Sequence, residues 1–210
     1  MKLGEIKIQA LNMMYPDVLV RLDDTSDEEI NNSLYELKTS PNYEGILESM
    51  VGAVNRALAF FEAKEITPIK CVDVARSLCA KTGSGILVKT ENDFLCATRL
   101  LCHRGDKTYD CAYETRNGYL YTEEKGDVYT VVYRTRLQRI TRVTPDSCEM
   151  ELDTALLEAI PYYILWDLFS RESKERAMQA KEQLDDIVAA IENRAAPACH
   201  GCFQTIYSME

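Results

Sequence analysis

The chain has 210 residues, 46% of them hydrophobic and 28% charged, enough for one domain with a sizeable core or for a core domain carrying a smaller inserted one. Its 24 Lys and Arg stand against 34 Asp and Glu, a formal net charge of −10, which argues against non-specific DNA binding through a basic surface. Residues 1–14 carry scattered charge without a continuous apolar core, so no signal peptide is expected, and the longest apolar run, Ala159 to Trp166, is too short to cross a bilayer. The eight cysteines are irregularly spaced and are expected as thiols in a reducing compartment, with Cys96 and Cys111 as small apolar fillers among strand residues.

Residues 1–65 are expected to be helical. Leu3, Ile6, Ala10 and Met13 recur at three- and four-residue steps, and Pro16 stops that helix. Ser26 and Glu29 form a capping-box pattern, with Ile30, Leu34 and Leu37 following on one face. A third helix is predicted from Asn42 to Lys64, striped by Ile46, Met50, Val54, Ala57 (with Leu58) and Phe61.

Residues 66–144 read as an inserted antiparallel β domain, sandwich- or barrel-like. Ile86 to Val88 and Phe94 to Ala97 are short apolar strands, and Tyr109, Cys111 and Tyr113 share one face of a following strand. Asn117-Gly118 is a hairpin turn, and Glu124 to Asp127 is the next turn. After it, Tyr129, Val131 and Tyr133 alternate against Val128, Thr130 and Val132.

Residues 145–194 return to helix. Leu152, Leu156, Ala159 and Ile160 lead into Pro161, which is expected to kink the helix or start a new one. From Lys174 to Asn193, Ala177, Ala180, Leu184, Ile187 and Ile191 form a narrow packing seam. Residues 195–210, with Pro197, show no helical stripe and are expected to be a flexible tail. The fold class is therefore α+β: a small helical bundle built from both ends of the chain, with the β domain inserted between them.

No motif specifies chemistry strongly. Cys199-His200-Gly201-Cys202 has the spacing of a zinc or redox pair, but no second pair completes four ligands. His103 has no nucleophile motif beside it and is expected in a solvent-facing loop. Lys81 to Gly85 places its lysine before the glycines and a strand after them, so it reads as a turn rather than a phosphate loop. Asp23, Asp24, Asp27, Glu28 and Glu29 lack the alternation of a calcium loop, and the last three suit the first turn of a helix. Arg134, Arg136, Arg139 and Arg142 form the only basic stretch, either a solvated strand face or a surface for an acidic partner. The reading assigns no catalytic residue, no metal ligand and no cofactor.

Several segments resemble a known family. They are Met1 to Lys7, Tyr43 to Pro68 through Met50-Val51-Gly52-Ala53-Val54-Asn55-Arg56-Ala57, Tyr129 to Arg134, Ile140-Thr141, Glu151-Leu152-Asp153, and Leu156 to Ile164 followed by a charged helix to Asn193. Together they resemble the head–tail adaptor, or connector, proteins of the neck of tailed bacteriophages infecting Gram-positive bacteria. The resemblance implies a structural virion protein, made in the host cytoplasm, that forms a ring, a dodecamer in such proteins, on the portal protein. On its other side it meets a tail-completion or tail-terminator protein. Genomic DNA passes through its channel without specific binding, and no membrane is involved. It also implies a C-terminal segment that embraces the portal, which maps Phe203, Ile206 and Tyr207 as partner contacts beside Arg134 and Arg136. Two other readings stay open: another ring-forming tail protein, and a metal- or redox-dependent enzyme using Cys199 and Cys202.

Overall fold

The computed structural model describes residues 1–15, 26–40, 43–170 and 173–206, with residues 27, 44 and 194–206 described in backbone only. The chain divides into two units, one made of Met1–Ile66 with Gln138–Glu210 and the other of Thr67–Leu137. Among the described residues the first contains five α-helices and the second two antiparallel sheets, so the class is α+β, with both ends of the sequence contributing to the helical unit.

In the helical unit, α1 is Leu3–Met14. Leu3, Ile6, Ala10, Ile8 and Leu11 are all fully buried, so α1 is covered on most of its circumference rather than along one stripe, and Met14 is more deeply buried than Met13. Its first amides are satisfied from far along the chain: Leu3 donates to the Cys148 carbonyl at 2.9 Å and Gly4 to that of Asp146 at 2.8 Å. A Cβ at Gly4 would lie 3.1 Å from both the Asp146 carbonyl and a Leu34 methyl, so this close approach calls for glycine. The second helix, α2 (Asp27–Thr39), opens on the expected capping box. The Ser26 amide donates to the Glu29 carboxylate at 2.8 Å, and Ile30 and Leu34 bury its inner face.

The third helix, α3 (Glu44–Ala63), buries Leu47, Met50, Ala53, Val54, Ala57, Leu58 and Phe61, an apolar face two residues wide per turn. The fourth, α4 (Thr154–Phe169), is capped by Asp153, whose carboxylate accepts from the Ala155 amide at 2.9 Å. It packs against α1 and α3 and also against the fifth helix, α5 (Lys174–Ile206). That central position explains its apolar sequence: Leu156, Leu157, Ala159, Ile160, Tyr163, Ile164 and Phe169 are all buried. Each large aliphatic side chain buried there contributes about 1.5–3 kcal/mol.

Of the two outcomes expected at Pro161, a kink or a new helix, no new helix begins: α4 continues through it. A proline there forfeits one i→i−4 hydrogen bond, and the buried packing on both sides of it offsets that loss. The seam of α5 runs through Ala177, Ala180, Leu184 and Val188, all buried, with Ile187 and Ile191 at its margin. In addition, α5 carries on through residues 195–206, where a flexible tail was expected. Ala195, Ala196 and Ala198 are strong helix formers on either side of Pro197.

The sheet unit contains β1 (Ile69–Ala75), β2 (Ala80–Thr82), β3 (Gly85–Lys89), β4 (Phe94–Arg104), β5 (Lys107–Asp110), β6 (Glu114–Arg116), β7 (Tyr119–Thr122) and β8 (Val128–Thr135). They form two four-stranded sheets, ordered β1-β8-β4-β5 and β2-β3-β7-β6, all antiparallel. Val74, Leu100, Cys102, Tyr129, Val131 and Tyr133 from the first share one buried cluster with Ile86, Val88 and Leu120 from the second. The arrangement is two open sheets over a common core, not a closed barrel. Asn117 and Gly118 take positive φ values of 47° and 81°, the backbone of a two-residue hairpin turn.

Tyr109, Cys111 and Tyr113 do not share one strand: β5 ends at Asp110, and the chain then leaves the first sheet for β6 in the second. Cys111 is nonetheless buried in the core, as a filler should be. The sheet unit ends at Leu137 rather than at residue 144. The reason is local: the Asn55 side chain on α3 brackets Ile140, accepting from its amide at 3.0 Å and donating to its carbonyl at 2.8 Å. Arg139 pairs with Glu62 on the same helix at 2.5 Å.

Candidate interaction site

The basic stretch does not act as one surface. Strand β8 stops at Thr135, so of the four arginines only Arg134 lies on a strand. Its guanidinium is half-buried and donates to the Thr67 carbonyl at 2.9 Å, bracing the first residue of the sheet unit. Arg136 is exposed, but its amide donates to the Asp93 carbonyl at 2.6 Å and its Nε to that of Phe94 at 3.0 Å. Both residues therefore hold backbone. Arg139 is engaged with Glu62. Arg142 is exposed and has no ion-pair partner among the described residues.

Arg142 instead lines a cleft of about 260 Å³ in the helical unit, together with Lys7, Lys38, Leu47, Glu48 and Asp146 among others. The cleft is built around one carboxylate. Asp146 accepts from Lys7 Nζ at 2.6 Å through Oδ1 and from Lys38 Nζ at 2.8 Å through Oδ2. The Lys7 side chain is only 6% exposed and that of Asp146 only 11%. Burial pushes the Asp146 carboxyl upward, but the hydrogen bonds from Lys38 and Lys7 outweigh it and hold the group below the ordinary carboxylate range. The loop is fixed by its own turn, in which the Thr141 amide donates to Thr144 Oγ1 at 2.8 Å. Leu47 and Val51 on α3 form an apolar wall.

Sequence reasoning missed this cleft. Its one signal was Lys7 standing between Ile6 and Ile8, both fully buried, where a lysine needs a carboxylate partner.

His103 is not in a loop. It lies within β4, half-buried, in a chain of side-chain hydrogen bonds that crosses the whole first sheet. Thr130 on β8 donates to Asp73 on β1 at 2.5 Å, and its oxygen lies 2.7 Å from His103 Nε2, while His103 Nδ1 lies 3.0 Å from Thr108 Oγ1 on β5. Because Thr130 spends its proton on Asp73, His103 must supply Nε2–H to it. The neutral ring is thus the Nε2–H tautomer, with Nδ1 accepting from Thr108. A long-range ¹H–¹⁵N correlation spectrum of the His103 ring should show that tautomer. Thr130→Val should lower stability by about 1–2 kcal/mol in urea unfolding, as loss of a shared buried hydroxyl does. A parent ring that carries Nδ1–H, or a variant as stable as the parent, would refute the relay.

Phe203 and Ile206 fall on the helical backbone of α5 and their side chains lie outside the described residues, as does Tyr207 altogether. The side chains of Cys199 and Cys202 lie outside them as well. Among the described residues no three His, Cys, Asp or Glu side chains gather to hold a metal ion, and no helix is long and apolar enough to cross a membrane. No protein-family model matches the chain, and no curated protein matches it.

Proposed function

We propose that this chain is a structural protein of a tailed-bacteriophage neck: a ring-forming head–tail adaptor that docks on the portal, continues the DNA channel and joins head to tail. The observation that carries the reading is the split helical unit. Both ends of the chain contribute to it, and the sheet unit is inserted between Ile66 and Gln138, the organisation that the sequence resemblance implies. Two features agree with it. The net charge of −10 suits a channel that must let DNA pass without gripping it. At 33 residues, α5 is about twice as long as α4 with its 16, so at roughly 1.5 Å per residue it outruns that partner by about 25 Å, a length that a neighbouring subunit can use.

The test is to mix the full chain with the purified portal protein of the same phage and follow assembly by light scattering and electron microscopy. The expected result is a ring of this chain seated on the portal. A chain that stays monomeric with portal, or that co-purifies with tail-tube protein instead, would overturn the assignment.

A further inference from the structure

We propose that the cleft between α1, α2, α3 and the loop through Thr144 is a binding site for a carboxylate carried on a short apolar stem. The inference stands apart from the neck reading and rests on charge, burial and shape alone.

The cleft holds three cations, Lys7, Lys38 and Arg142, against two carboxylates, Asp146 and Glu48. Asp146 divides its single charge between both lysines, so that triad keeps one positive charge in excess. Each ammonium has three N–H donors and gives one to Asp146, which leaves donors on a nearly buried Lys7 at the cleft wall. A buried cation with donors to spare favours an acceptor beside it. Arg142, exposed and without a partner among the described residues, adds a planar fork suited to a carboxylate.

The same lining sets the selectivity. Glu48 opposes a second negative charge, so a monoanion is favoured over a phosphate dianion. Leu47 and Val51 offer hydrocarbon surface that an inorganic anion cannot use. The cleft, about 260 Å³ and open to solvent on one side, has room for a small branched acid.

The probe is 4-methylpentanoate, titrated into the ¹⁵N-labelled full chain at constant ionic strength, with inorganic phosphate and chloride as parallel arms. Saturable shifts are expected at the amides of Lys7, Leu47 and Asp146, with a Kd on the order of 1–10 mM for so small a ligand. Arg142→Gln should weaken binding about tenfold. That side chain is exposed, so the variant's unbound spectrum should match the parent's and separate lost binding from lost fold. Arg136→Gln, outside the cleft, should leave the titration unchanged. Shifts that fail to saturate, or that ignore Arg142→Gln, would overturn the site. Phosphate binding there as tightly as the acid would overturn its selectivity.

Discussion

Replacing Asp146 by alanine is expected to destabilise the helical unit by about 3–5 kcal/mol, the usual cost of removing one partner from a buried ion pair. The carboxylate is the shared acceptor of Lys7 and Lys38, and Lys7 is nearly buried on α1, flanked by the fully buried Ile6 and Ile8. Without Asp146 the Lys7 ammonium keeps its desolvation cost and loses its counter-charge. The Asp146 backbone also caps Gly4, so the variant keeps the loop's main-chain anchor, and the loss measured is mainly electrostatic. Urea unfolding followed at 222 nm measures it. Lys7→Met in the Asp146→Ala background should recover a large part, because the stranded charge is then gone. A loss below about 1 kcal/mol would mean that Lys7 reaches water by another route.

The same pair fixes an acid dependence. Asp146 has a folded-state pKa below its unfolded value, so its contribution is fully present above the unfolded value near 3.8 and is lost as the pH falls through the folded one. Asp146→Asn should therefore be less stable than the parent at neutral pH and converge with it in strong acid.

Local patterns made most of the elements legible. Ser26 and Glu29 announced α2, Asn117-Gly118 announced the β6–β7 hairpin, and the alternation of Tyr129, Val131 and Tyr133 gave the inner face of β8. These signals depend on residues within a few positions of one another. What was not legible depended on distant partners. Strand β1 reads weakly because Lys70, Cys71, Asp73 and Ala75 are exposed and only Val74 is buried, and its pairing to β8 spans the whole inserted unit. A new helix at Pro161 was one of two readings because the local cost of a proline is plain, while the packing that offsets it comes from three other helices. The boundary at Leu137 is set by Asn55 and Glu62, which lie more than 70 positions away. For the cleft, Lys7 and Asp146 are 139 positions apart, and only folding brings them together.

Tyr129→Ala should cost the sheet unit about 4 kcal/mol, the range for emptying a large aromatic site in a core. The ring is fully buried among Val74, Leu100, Cys102 and Val131, and no neighbour is free to collapse into its place without breaking the ladder between β8 and β4. Tyr129→Phe isolates the polar share. The hydroxyl donates to the Glu124 carbonyl at 3.0 Å and accepts from the Gly126 amide at 2.9 Å, so its loss strands two backbone groups and should cost about 1–3 kcal/mol. Those bonds hold the turn before β8 against β4, where a Cβ at Gly126 would come within 2.9 Å of Cys102 Cβ and 3.0 Å of the His103 carbonyl. The turn thus has no room to shift and remake the lost bonds. Burial raises the Tyr129 phenol above its ordinary value despite the hydrogen bond from Gly126. Its contribution is complete below the unfolded value near 10 and disappears as the pH rises through the folded one, so Tyr129→Phe should also blunt alkaline unfolding. Near-ultraviolet circular dichroism across urea and pH series reads both effects. A phenylalanine variant as stable as the parent would mean that the turn does not depend on the hydroxyl.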